Sequence, residues 1–202
     1  MPTRYHVEKT SLCEERDIML FHLFEIEWMH RKKQVKNHIS LLLDYNMMHL
    51  KPGAISHVSK DEAMEFFKEN AVAYKEPSST CLAISTNGTM SFVAEVEMHG
   101  NILELKQFCF KTGIYVDDAF EAIARYARRY ALHVHRDRRL WPKKMFDIDV
   151  FKQIYILDIQ ELVIPRFKYD RICYNFNIKD KALYHTYDSG IEVLDFKQLA
   201  QC

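Results

Sequence analysis

The dipeptide Asn87-Gly88 sits between two runs of strand-forming residues and constrains the fold more than any other feature of the chain. Asn and Gly both tolerate positive φ, which a two-residue hairpin turn needs if its twist is to match that of the flanking strands. Thr80 to Thr86 leads into the turn and Thr89 to His99 leads out. The outgoing run places Met90, Phe92, Ala94, Val96 and Met98 on one face, with Ser91, Val93, Glu95, Glu97 and His99 on the other. Gly100-Asn101 turns the chain again into Ile102–Lys111, so the three runs predict an antiparallel meander. Asp117-Asp118 then opens a helix with Phe120, Ile123, Ala124, Ala127 and Ala131 along one side; the acids suit its positive N-terminal end. A strand–hairpin–helix unit from about Cys81 to Leu132 is expected.

The flanking segments are read around this unit. Tyr5 to Lys9 suits a short first strand, and Ser11-Leu12-Cys13-Glu14 has the spacing of a capping box. Leu20, Leu23, Phe24 and Trp28 then fall at helical spacing to about His30. Val35, Ile39, Leu42, Leu43 and Met47 form a second amphipathic stripe that Lys51-Pro52-Gly53 ends. A further capping box, Ser59-Lys60-Asp61-Glu62, opens a helix to about Asn70. Beyond Leu132 the pattern predicts a strand at His133–Arg136, a basic loop through Trp141-Pro142, a helix around Lys144–Gln153 and a strand from Tyr155 to Ile164. Ile172–Ile178 and Ala182–Tyr187 read as a final hairpin. The fold class is therefore α/β in the α+β sense. A mixed, mostly antiparallel sheet is flanked by helices, with an extra C-terminal β-hairpin. The expected organisation is a single domain over 1–202, with a core at 5–164 and a β extension at 165–202.

Composition narrows the environment. With 202 residues, 48% of them apolar and 28% charged, the chain can bury one good core. Lys plus Arg equals Asp plus Glu, so any preference for an acidic partner must be local. The five cysteines form no close pair, and Cys81 and Cys109 lie in apolar stretches, which points to a reducing, cytoplasmic setting. Met1 to His6 has no apolar leader pattern. No apolar run approaches the roughly 20 residues of a spanning helix, so no membrane role is expected.

Ile102–Phe110, a loop, and Ala119–Ala127 with its Tyr126-Ala127 pair resemble the fourth strand, acyl-CoA loop and third helix of the GNAT N-acetyltransferase superfamily. The order of elements from Tyr5 to Ile164 is similar to that family's as well. The resemblance implies N-acyl transfer from acetyl-CoA to an amine. Glu104 would be the general base and Tyr155 a general acid. Phe108, Phe110, Lys111 and Gly113, with Arg125 on the helix, would line the cofactor site. The family's glycine-rich loop lets backbone amides approach a pyrophosphate. Here Lys111–Asp118 keeps one glycine and adds two carboxylates, which would repel a pyrophosphate at close range. Either CoA binds differently, or a GNAT-like scaffold has lost its cofactor and acts by association, for example in a virus particle.

Other constellations compete. The Gly100-Asn101 turn would set Glu97 opposite Glu104 and Glu95 opposite Lys106, which reads equally as a polar exposed face. Glu104-Leu105-Lys106 with Glu95 and Glu97 also resembles the Mg²⁺-binding core of PD-(D/E)xK nucleases. His133, His135 and Asp137 could share a strand face but lack recognisable further ligands, so no metal site is assigned. Arg125 to Lys144 holds eight basic residues against the single acid Asp137. Such a stretch would suit a CoA phosphate, a nucleic-acid backbone or an acidic protein, with Trp141 as a stacking surface, or simply a solvated face. The C-terminal β segment, Arg171–Leu194, offers alternating aromatics for a protein partner or a second copy.

Overall fold

The computed structural model describes residues 5–146, 151–157 and 191–196. Its elements in chain order are α1 (Tyr5–Glu14), α2 (Glu25–His30), α3 (Lys32–Leu42), β1 (Met48–Leu50), β2 (Ala54–Val58), α4 (Lys60–Asn70), β3 (Thr80–Thr86), β4 (Thr89–His99), β5 (Ile102–Phe110), β6 (Ile114–Val116), α5 (Ala119–Ala127), β7 (Ala131–Asp137), a 3₁₀ turn (Lys143–Met145), β8 (Phe151–Leu157) and β9 (Ile191–Phe196). The large sheet runs β2-β3-β4-β5-β7-β9-β8, and β1 pairs with β6 in a small parallel ladder. Every contact in the large sheet is antiparallel except β5 with β7. The expected mixed, mostly antiparallel sheet flanked by helices is therefore present.

The meander forms where the sequence places it. Asn87 and Gly88 both hold positive φ, at 52° and 75°. β3 and β4 are buried on both faces, so their alternation is not simply apolar against polar. On one side α4 lays Ala63, Phe66 and Phe67 over Cys81, Ala83, Val93 and Cys109. On the other, α5 sets Ala119, Ile123 and Ala127 against a core that includes Leu82, Phe92, Leu105 and Phe108. The capping box of α4 is formed: Ser59 Oγ accepts from the Glu62 amide at 3.2 Å, and Glu62 Oε2 accepts from the Ser59 amide at 2.9 Å. Gly53 joins β1 to β2 where a Cβ would lie 2.1 Å from the Ser85 carbonyl oxygen, so only glycine fits.

The opening third departs from expectation. Tyr5–Lys9 is not a strand but the start of α1, and Ser11–Glu14 is that helix's last turn instead of its cap. Ser11 and Glu14 are drawn outward to Arg138 at 3.0 and 2.7 Å. The helix expected to continue to His30 is interrupted, because the His22 amide donates to the Arg139 carbonyl at 3.1 Å. α2 begins only at Glu25, where Glu27 Oε2 caps the Phe24 amide at 3.0 Å. α3 stops at Leu42, and Met47 precedes a strand that pairs with β6.

The closing third departs as well. Of the helix expected at Lys144–Gln153, the described residues show a 3₁₀ turn at Lys143–Met145 and the start of β8 at Phe151. Ile191–Phe196, which falls in the expected β extension at 165–202, is an interior strand between β7 and β8. Burial of Val193, Leu194 and Phe196 accounts for that placement. The hairpin at Ile172–Tyr187, the remainder of the Tyr155–Ile164 strand, Cys173 and Cys202 lie outside the described residues. Cys81 and Cys109 are buried free thiols, as their surroundings suggest, and burial first, then Glu95, pushes the Cys81 thiol up to about 11. No helix among the described residues is long and apolar enough to cross a membrane.

The basic stretch is not a uniformly solvated face. Arg136, Arg138 and Arg139 are buried. Arg136 binds Glu192 through Nε, Glu14 Oε1 at 2.7 Å and the Trp141 carbonyl at 2.7 Å. Arg138 binds Glu14 Oε2 at 2.7 Å. Arg139 binds Glu27 Oε2 at 2.8 Å, with both side chains fully buried, and lies over the Phe24 ring at 4.7 Å. A charge left alone in such a site is costly, so we expect Glu27→Ala to destabilise the protein by about 3–5 kcal/mol in equilibrium urea denaturation. Burial opposes ionisation of Glu14, but Arg138 and Arg136 prevail and hold its carboxyl below the usual range. Its stabilising contribution is therefore present above the ordinary carboxylate pKa and is lost as pH falls through the depressed one. Denaturation between about pH 5 and pH 2 should show a shallower acid slope for Glu14→Gln than for wild type.

Candidate functional site

β5 carries the residues on which the functional question turns, and a bulge sets their order. Glu97 lies opposite Glu104 as the turn predicts, but a register shift after Glu95 pairs it with Gln107 instead of Lys106. The shift turns both Lys106 and Gln107 toward carboxylates of β4. Lys106 Nζ bonds Glu104 Oε2 and lies 3.5 Å from Glu97 Oε2. His135 and His99 approach the same Glu104 oxygen at 3.5 and 3.8 Å. Partial burial of Glu104 works against its ionisation, but the bond and charge of Lys106, with His135 and His99, outweigh it and hold the carboxyl low. Glu104 is thus a half-buried, ionised carboxylate saturated by a lysine. Donor atoms of Glu97, His99 and Glu104 lie within 4.8 Å of one another, and the Lys106 ammonium already supplies their counter-charge.

Glu95 is not on a solvated face. It is buried and accepts from the Ser78 and Ser79 amides at 2.7 and 3.0 Å, from both serine hydroxyls and from Gln107 Nε2 at 2.8 Å. That occupies the oxygens a nuclease-type metal would need. His133 and His135 do share a face of β7, but they diverge to Asp195 at 3.9 Å and Glu104 respectively. Asp137 instead accepts from the Arg139 amide at 3.0 Å. Tyr155 lies in β8, its backbone opposite Val193, with β9 and β7 between that strand and β5. Three strand spacings separate the two backbones by about 14 Å, so the fold does not bring Tyr155 beside Glu104.

The parallel contact between β5 and β7 is short. Paired residues run from Ile102/Ala131 to Leu105/Val134, and both strands continue past the last pair. The wedge beyond it is filled by side chains of the chain itself. Trp141 is buried and stacks on Phe108, ring centroids 4.7 Å apart, so it is interior packing and not an exposed stacking surface. His38 meets Trp141 edge-on at 4.6 Å and bonds the Leu140 carbonyl at 2.8 Å. Phe108, Phe110, Lys111 and Gly113 do gather around one cavity here, but its volume is about 30 Å³, room for little more than water. Arg125 is elsewhere, on the last turn of α5 and 3.9 Å from Glu121.

The loop after β5 has few amides to offer an anion. Lys111 donates its amide to Ser91, Thr112 to Asn70 Oδ1, Ile114 to Lys111 and Asp117 to Leu50, all at 2.9–3.0 Å. Ile114–Val116 is itself a strand, β6, which alternation did not reveal because its partner β1 is equally short. Asp118, at the start of α5, binds Lys51 at 3.2 Å, and Asp117 binds His49 at 2.8 Å. Sequence reasoning singled out Trp141 as a stacking surface but missed its packing with His38. Its only local signal is an indole in a basic loop, since the two residues meet across more than half the chain.

Burial drives the His38 pKa down to about 4, against the opposing pull of its Leu140 bond. Trp141→Ala would let water reach the ring, so we expect the His38 titration followed by NMR to move up toward 6.5. A value left near 4 would mean that the indole is not what keeps the ring dry. No protein-family model matches the chain, and no curated protein is similar enough in sequence to count as a relative.

Proposed function

We propose that this chain is a GNAT-like scaffold that acts by association with a partner and not by acyl transfer. The strand order supports the GNAT-like part: a meander leads through a helix to the one parallel contact of the large sheet, and β9 is inserted before β8. The observation that carries the non-catalytic part is Trp141 packed on Phe108 in the wedge where the family's pantetheine arm would lie. The spent amides and paired aspartates of the loop point the same way, because a pyrophosphate would have to displace hydrogen bonds and approach two carboxylates. A buried aromatic stack is not displaced cheaply: truncating a core Trp costs about 3–5 kcal/mol.

The second reading is N-acetyl transfer from acetyl-CoA with Glu104 as base, and one observation favours it. Glu104 is held ionised in a half-buried setting, which is the protonation state a general base needs. The two readings part on cofactor binding. Calorimetry with acetyl-CoA up to about millimolar concentration should show no binding heat if the scaffold reading holds. A saturating isotherm would return the chain to the acyltransferases.

A further inference from the structure

We infer that the exposed corner formed by Arg125, Arg128 and Arg129 with Tyr126 and Tyr130 is a binding site for single-stranded nucleic acid. The inference gives the association reading a partner and rests on it. The basic stretch divides in two once folded. Arg136, Arg138 and Arg139 are buried against Glu14, Glu27 and Glu192, and their charge is cancelled there. Arg125, Arg128 and Arg129 stay exposed at the end of α5, with Tyr126 46% and Tyr130 37% exposed among them. No carboxylate occurs between Ala122 and Arg136, and the nearest in sequence, Glu121, stands 3.9 Å from Arg125. In a chain of zero net charge, this corner is locally cationic.

Shape adds to charge. Arg125, Tyr126 and Arg128 form one wall of an open groove of about 520 Å³ whose other wall is Pro52, Gly53 and Ile55, beside the outer strand β2. The Tyr126 hydroxyl is tied to His57 Nε2 at 3.3 Å, which fixes the ring at the groove. Arginines flanking an oriented, exposed aromatic ring suit a strand whose phosphates meet the guanidinium groups while a base stacks on the tyrosine. A duplex fits worse. α5 is packed against the sheet through Ala122, Ile123 and Ala127 and cannot enter a major groove; only its last turn is available. Arg128 also holds φ of 34° with ψ of −42°, a backbone that a Cβ disfavours and glycine tolerates. Arg128→Gly therefore removes a charge while suiting the backbone.

The test is fluorescence anisotropy with a labelled oligothymidylate of about 20 nucleotides, run at increasing salt. Binding should weaken with a log–log salt slope of about −2, as expected for three phosphate contacts on a single strand. Arg128→Gly should lower affinity several-fold with no loss of thermal stability. Arg125→Ala/Arg128→Gly/Arg129→Ala should lower it roughly tenfold or more. Lys143→Ala/Lys144→Ala, at an exposed basic pair further along the stretch, should leave it unchanged. No anisotropy change in wild type, an equal loss in the lysine variant, or tighter binding of a duplex or of anionic phosphatidylserine vesicles would each overturn the site. Acetyl-CoA calorimetry on the same sample keeps the two ideas separable. A CoA isotherm sinks the scaffold reading whatever the anisotropy shows, and flat anisotropy sinks this site while leaving a null CoA result standing.

Discussion

Three arginines from one short stretch, Arg136, Arg138 and Arg139, are buried against three glutamates drawn from the opening helices and from β9. Buried ions are stabilising only when each finds its counter-charge and enough hydrogen bonds, and here the count balances, three against three. Much of the architecture follows from meeting that condition. Glu14 brings α1 to the sheet, Glu27 brings α2, and Glu192 fixes β9 beside β7. The same guanidinium groups hold the turn that carries Trp141, since Arg136 grips the Trp141 carbonyl. The indole in the wedge is thus positioned by an ionic network built for another purpose. Chemistry at the sheet centre and attachment of the helices are one problem in this fold.

What was legible in the sequence is what is local. Asn87-Gly88 and Gly100-Asn101 declare their hairpins because a turn's backbone demands are met by the residues in it. Ser59 and Glu62 cap α4 across three residues, and the Ala-rich face of α5 shows in its spacing. What was illegible depends on distant partners. Tyr5–Glu14 resembled a strand and a cap because Ser11 and Glu14 answer to an arginine about 125 residues away. Interruption of the first helical stripe at His22 has the same cause. β1 and β6, three residues each, are too short to carry a period and exist only because they pair with one another.

The candidate site divides along the same line. That Glu104 would face Glu97 followed from the turn; that Lys106 would sit on both followed from a bulge, which no residue type announces. Charge counting found the basic stretch but could not say which of its members would be neutralised, because the neutralising acids are spread from residue 14 to residue 192. Burial decides that division, leaving the last turn of α5 with exposed charge and the strand after it with none to spare. The wedge beyond the β5–β7 contact and the indole that fills it were not legible, because both depend on how strands distant in sequence part.

The placement of β9 between β7 and β8 has a consequence in time. Among the described residues β8 joins the sheet through β9, so residues 151–157 lack their native partner until residues 191–196 have been made. During synthesis β3 to β5 can assemble as hairpins, each closing soon after it emerges. Arg136 must wait as well, its pairing with Glu192 spanning 56 residues. The growing chain therefore passes through a stage with an open sheet edge at β7 and one arginine short of its acid. Such an intermediate is prone to pair with a neighbour. The step that seals the sheet and the step that neutralises its interior are the same step.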